Sequence, residues 1–236
     1  MEVINKKLKI LVLVSILLII PITIYGCTTG DGNAEEDLKE KDQIITDLTQ
    51  EKEDLEVEVA ELKGQLKENY TGRLLYNALY TVELLKDKNM DILSEMVHPS
   101  KGVRFSPYFY IDKEEDVVLS PEEVKGAFQN EEIYTWGNYD GSGEPIELTI
   151  EEYYHKFIYD EDFISPHLIG NNTSIGEGNI IDNLNEVYPD ASFVEFHFEG
   201  IDPQYEGIDW RSLKLVFEEY GGTWYLIGII HGQWTV

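Results

Sequence analysis

Apolar residues recur along this chain with several different spacings, and each spacing predicts a different element. Ile10 to Ile20 is continuously apolar apart from Ser15, and Lys6, Lys7 and Lys9 precede it. A basic head, an apolar stretch and then Pro21 form the pattern of an export signal. Thr28 to Ala34 reads as a short flexible linker. From Glu35 to Asn69 there is no proline, helix formers dominate, and apolar residues follow a 3-4 spacing. Leu38, Ile45, Leu48, Leu55, Val59, Leu62 and Leu66 fill seven of nine core-type positions, and Lys41 and Lys52 interrupt the series. Such a run predicts a coiled-coil-like stalk, about 50 Å long at 1.5 Å per residue.

Beyond the stalk the spacing changes. Leu74, Leu75, Ala78, Leu79, Val82 and Leu85 share one helical face, and a short second helix is expected over Met90 to Val97 with Asn89 as its N-cap. Gly102 to Ile111 alternates as a strand does, with Pro107 suited to an edge or bulge. Ser120 to Glu123 and Thr149 to Glu152 are capping boxes that predict two helix starts, and Asp140 to Gly143 predicts a turn between two short strands. The last third is strand-rich: Phe193 to Phe198, then Leu213 to Phe217, a turn at Gly221-Gly222, and Trp224 to Trp234. Leu226, Ile227, Ile229 and Ile230 are apolar on both faces, which predicts a central, covered strand. The fold class expected is α+β, with N-terminal helices followed by a curved antiparallel sheet, cone-like in form. Residues 1–26 would be a signal peptide, 27–34 a linker, 35–69 the stalk and 70–236 a globular domain. Roughly 165 residues bury about 70% of their unfolded surface, enough to fold without disulfide or metal.

Two resemblances rest on particular residues. Ile24-Tyr-Gly-Cys27 resembles the lipobox of bacterial lipoproteins, although Tyr25 is bulkier than the usual residue there. The resemblance implies cleavage before Cys27, which becomes the new N-terminus, diacylglycerol on its sulfur with palmitate as the acyl chain, and an extracytoplasmic protein anchored to the cell membrane by lipid. Two or more acyl chains anchor stably, where one would be marginal. The alternative is an uncleaved helix from Leu8 to Tyr25, near the minimum length for spanning. Leu84 to Val97, followed by Gly102-Val-Arg-Phe105, resembles the opening of nuclear-transport-factor-like domains. There a long helix, a short helix and a strand precede a curved sheet, and some members use a pocket in the cone for dehydration or isomerisation. His98 to Tyr108 and Trp224 to Thr235 also resemble an uncharacterised group of Gram-positive lipoproteins, which implies no activity.

Charge narrows the partners. The chain carries −28, and removing residues 1–26, with three lysines against one glutamate, leaves −30. No basic cluster exists for phosphate, so nucleic acid is not an expected partner. Cys27 is the only cysteine, which removes disulfides and thiol catalysis from the mature domain. There is no G-x-S-x-G, H-E-x-x-H or P-loop motif. Glu195, His197 and Glu199 share a strand face with His231 on a neighbouring strand, but a solvent-facing polar face is the favoured reading, and no metal, cofactor or catalytic residue is assigned. Asn138 to Glu144 has the flavour of a calcium loop but lacks its glycine and glutamate, so a hairpin turn is expected.

Arg104, Tyr108, His197 and His231 are the candidate pocket residues, because a buried polar group on a covered strand needs a partner. Aromatic residues, 12% of the chain, are assigned chiefly to the core. Together these readings favour a lipid-anchored surface protein with a non-catalytic domain that binds a ligand, a cell-wall component or a protein. An extracytoplasmic enzyme using a cone pocket is one alternative. The other is an assembly or structural factor acting through the stalk, which self-associates weakly at most, because Asp37 would face Asp42 and Glu51 would face Glu56 in a parallel pair.

Overall fold

The computed structural model describes residues 34–68 and 70–235, and side chains over 41–62 and 73–235. The expected export signal, the expected lipid site at Cys27 and the expected linker up to residue 33 lie outside the described residues, as do the side chains of Leu38 and Leu66. No helix among the described residues is long and apolar enough to cross a membrane. The chain divides into two units, Met1–Glu58 and Val59–Val236.

Helix α1 (Ala34–Glu68) is continuous, as the absence of proline and the helix-forming composition require. Contacts one turn apart support it: Gln43 donates to Asp47, Gln50 to Asp54, and Lys52 pairs with Glu56 at 3.0 Å. Among the described side chains its apolar stripe is only partly covered, with Leu48 and Leu55 half-buried. Ile45, Val59 and Leu62 are each about half exposed.

In the second unit, α2 (Tyr70–Lys86) buries Leu74, Ala78, Val82 and Leu85 along one face, and α3 (Met90–Met96) starts at Asn89, whose side chain accepts the Ile92 N–H. Next come β1 (Val103–Ser106), β2 (Val118–Leu119), α4 (Pro121–Lys125), a 3-10 turn at Ala127–Gln129, β3 (Tyr134–Asn138), β4 (Pro145–Leu148) and α5 (Ile150–Phe157). Both expected capping boxes form, at Ser120 with Glu123 and at Thr149 with Glu152. The chain continues through β5 (Leu168–Asn171), α6 (Leu184–Val187), β6 (Ser192–Phe198), β7 (Arg211–Tyr220) and β8 (Thr223–Gln233).

These elements make an α+β domain. The main sheet has six strands in the order β2-β1-β8-β7-β6-β5, and β3 and β4 form a separate hairpin. Every neighbouring pair is antiparallel except β1 with β8, which run parallel. Only a tight hairpin forces antiparallel pairing, and the long connection from β1 to β8 leaves the direction free. The expected strand over 102–111 ends at Ser106, since Pro107 has no N–H to carry the ladder further. Strand β8 lies inside the sheet, joined to β7 through Gly221 and Gly222 at φ 61° and 81°, conformations that glycine adopts without strain.

Both faces of the sheet are covered. Inside, Val194, Phe196, Leu213, Leu215, Phe217, Leu226 and Ile229 meet the helices. Aromatic rings fill this interior, with Trp136 stacked on Tyr153 at 3.9 Å and Phe105 edge-on to both. The apolar gap left beside Leu85, Phe128 and Tyr154 is only about 20 Å³. Outside, Phe193, Val216, Ile227 and Ile230 pack with Phe109, Ile111, Leu184 and Trp210.

Candidate functional site

The residues that sequence reasoning singles out go to four different places. Arg104, half-buried on β1, donates through Nε to the Tyr188 hydroxyl at 3.2 Å. Its Nη1 donates to the carbonyls of Asp112, Lys113 and Asp116 at 3.1, 3.4 and 3.2 Å. The guanidinium fork therefore clamps the loop that follows β1 and does not enter a cavity.

His231 is fully buried on the inner face of β8. Its Nε2 lies 3.1 Å from Asp160 Oδ2 and its Nδ1 lies 3.2 Å from the Pro107 carbonyl, so both ring nitrogens face acceptors inside the protein. Asp160 also accepts Arg211 Nε at 2.9 Å. Burial acts to raise the Asp160 carboxyl, but His231 and Arg211 outweigh it and hold the group below its ordinary value. With Phe157 edge-on to the imidazole, this triad is a closed structural cluster.

The face carrying Glu195 and His197 does not meet solvent, which corrects the favoured reading of that strand. Glu195 is wholly buried and His197 nearly so. The segment 172–184 lies across them. Backbone N–H groups of Ile175 and Gly176 donate to the Glu195 carboxylate at 2.9 and 2.8 Å, and Ser212 Oγ donates at 2.7 Å. His197 Nδ1 lies 2.7 Å from the same Ser212 oxygen, and burial lowers its imidazole below the ordinary value despite Glu195 and Glu199. Lys214, also fully buried, reaches Ser174 and Asp182, with its ammonium 3.7 Å from the Phe109 ring centroid. Alternation along β6 shows a polar face but says nothing of the covering loop. His231 lies on the other sheet face, so it does not join Glu195 and His197.

Tyr108 alone among the four candidates lines an open space. A depression of about 860 Å³ lies where the chain leaves β1, between the 107–116 loop, the β3–β4 turn and residues 179–181. Tyr108, Tyr110 and Tyr139 line it together with Asp112, Glu115, Asp116 and Asp140. Asp140 sits in the hairpin turn expected at 138–144, closed by Tyr139 N–H to the Glu144 carbonyl at 2.8 Å and tied to the Tyr108 hydroxyl through its own N–H at 3.4 Å. Glu115 accepts from Asn138 at 3.0 Å. Asp116 accepts from Ser106 Oγ and from the Asp112 N–H through Oδ2. Burial pushes its carboxyl up to about 7, although Ser106, Arg104 and the Asp112 N–H all act the other way.

Comparison with protein-family models, curated proteins and solved structures finds no match. The chemistry must therefore be read from the depression itself. Sequence reasoning missed Asp112, Glu115, Asp116 and Asp140 as a group because they come from two loops that only the fold brings together. The available signal was the acidic run 112–116 in front of the calcium-like turn. No group of three or more His, Asp or Glu among the described residues converges as metal ligands do.

Proposed function

We propose that this chain is a lipid-anchored extracytoplasmic protein whose α+β domain binds a ligand or partner without catalysing a reaction. In this reading lipid on Cys27 holds the protein at the membrane, α1 is the spacer, and the depression beside β1 is the binding site. The arrival of α2, α3 and β1 in that order, ahead of a sheet packed on helices, supports the likeness to nuclear-transport-factor-like domains.

One contrast carries the binding reading. The interior that would hold a reaction pocket is filled by Trp136, Tyr153, Phe157 and Phe105, and Arg104 and His231 are both committed to internal partners. The depression is instead open, polar and aromatic. Thermal melts of the full chain in detergent, run against cationic, neutral and anionic compounds, test it. At least one class is expected to raise the midpoint, and Asp140→Asn with Tyr108→Phe is expected to abolish the rise. Stabilisation that survives both substitutions would move the ligand elsewhere and overturn this assignment. For the anchor, Cys27→Ser is expected to leave an unprocessed chain with its Met1 intact in mass spectra.

A further inference from the structure

We propose that Lys214 and Asp182 condense into an amide, with Glu195 as the proton carrier, so that the domain makes its own covalent crosslink; this goes beyond the binding reading and does not depend on it. Lys214 on β7 is the one fully buried lysine among the described residues. Its Nζ lies 2.5 Å from Asp182 Oδ2 and 3.6 Å from Oε2 of Glu195, the residue directly across from it on β6. A nitrogen that close to a carboxyl oxygen stands within about 4 Å of the carbon bonded to it. The rings of Phe109 and Phe193 cover the ammonium, with centroids 3.7 and 5.7 Å away. Distance alone does not mark this pair out, because Lys101 Nζ also lies 2.5 Å from a carboxylate, that of Glu218. Lys101 is more than half exposed, so water surrounds its ammonium. Lys214 has carboxylates and aromatic rings in place of water.

Each oxygen of Asp182 has its own part in the step. Oδ1 accepts the Leu184 N–H at 3.1 Å, which holds it in place as the carbonyl of the new amide. Oδ2 accepts the Ser174 hydroxyl at 3.0 Å, and Ser174 Oγ accepts from Nζ at 3.1 Å, a path from the nitrogen to the leaving oxygen. Glu195, oriented by the N–H groups of Ile175 and Gly176 and by Ser212 Oγ, takes a proton from the ammonium. The freed amine attacks Cγ of Asp182 and the C–N bond forms. Two protons in all pass from nitrogen to Oδ2, the bond from Cγ to Oδ2 breaks, and water leaves. One ammonium and one carboxylate thus give one amide and one water, and Glu195 ends as it began. The Asp182 side chain is 29% exposed, which gives the water a way out. Groups held in contact by the fold react as if at very high concentration. The covering rings keep bulk water from reversing the step.

Tryptic digestion of the full chain extracted in detergent, read by mass spectrometry, tests the proposal. An acylated Lys214 resists trypsin, so residues 157–211 are expected joined to residues 212–236 in one branched peptide. Its mass should lie about 18 Da, one water, below that of the two parts together. Amine labelling should find both Phe157 and Ser212 as N-termini of that species, which an uncut linear peptide does not show. Lys214→Arg keeps the charge but lacks the amine nucleophile, and is expected to give separate peptides. Glu195→Gln is expected to slow joining at least about a hundredfold. A parent digest that releases residues 212–214 and 215–236 as ordinary peptides overturns the proposal, whatever the variants do. Loss of water without the branch, as through a cyclic imide at Asp140-Gly141, overturns it too. Joining at the parent's rate in Glu195→Gln would overturn the role given to that carboxylate.

Discussion

The backbone N–H of Gly176 donates to the carboxylate of Glu195 at 2.8 Å, so a loop glycine satisfies a charge buried in the middle of the sheet's outer face. A side chain at this position has nowhere to go. A Cβ would lie 2.8 Å from Ser212 Oγ, 2.9 Å from the Trp210 ring and 3.1 Å from Glu195 Oε1. Gly176→Ala is therefore expected to lift the 172–184 segment and cost about 1–3 kcal/mol, the usual range for forced overpacking. Hydrogen exchange checks this: amides of 172–184 and of β6 should lose protection, while those of α2 keep theirs. Wild-type protection throughout would show that the segment adjusts without releasing Glu195.

Asp116 sets a stability window near neutral pH. Its folded value lies near 7 against an ordinary 3.8, so the fold favours the protonated form. The sign follows from linkage: this contribution is present in acid and is lost as the pH rises from about 4 through 7. Three units correspond to something on the order of 4 kcal/mol. Asp116→Asn keeps an acceptor for Ser106 and the Asp112 N–H while removing the charge. It is expected to be more stable than the parent at pH 8, and its urea midpoint should change little between pH 5 and 8. A variant with the parent's slope would return Asp116 to an ordinary carboxylate value.

Much of the scaffold was legible because local rules agreed with the tertiary outcome. Asn89, Ser120 and Thr149 all cap helices where expected, and the doubly apolar run in β8 does lie inside the sheet. The polar face of β6 was misread because alternation reports which side chains point together, never what covers them. Glu195 looks solvent-facing until Ile175 and Gly176, some twenty residues earlier, are folded across it. The depression was hidden for a related reason. Asp112, Glu115 and Asp116 lie on one loop and Asp140 on another, and only the seating of the β3–β4 hairpin beside β1 joins them. Of the expected pocket residues only Tyr108 belongs to it, because Arg104 and His231 find partners within the protein.

Asp160 governs the acid side. It takes Arg211 Nε at 2.9 Å and His231 Nε2 at 3.1 Å, and its carboxyl is held below the ordinary value. A depressed carboxylate contributes stability that is present above its unfolded value and is lost as the pH falls through the folded one. Asp160→Asn leaves the Arg211 guanidinium and the His231 ring facing an amide, and an expected loss of about 3–5 kcal/mol at pH 7 follows from removing one partner of a buried ion pair. The gap between variant and parent should close as the pH falls below 3.8 and through the depressed value. Urea melts from pH 7 to pH 2.5 check both size and sign, and a gap that stays constant across that range would remove the ionic account.

Lys52 interrupts the apolar stripe of α1 at the point where a second copy would have to pack. It sits at a core-type position, pairs with Glu56 on its own helix at 3.0 Å, and interrupts a stripe whose members Ile45, Val59 and Leu62 are about half exposed. In a parallel pair the Lys52 ammonium would enter the seam, and Glu51 would face Glu56 across it, so two unfavourable terms oppose the apolar gain. The two terms answer to different perturbations. Lys52→Leu removes the first and is expected to tighten self-association about tenfold, read by sedimentation velocity of the full chain in detergent. Added salt screens the second, so the parent should associate more at 0.5 M salt than at 0.05 M, opposite to the weakening expected if attractive ion pairs held the dimer. Should Lys52→Leu sediment like the parent at every concentration and salt, the stripe on α1 is not a self-association surface.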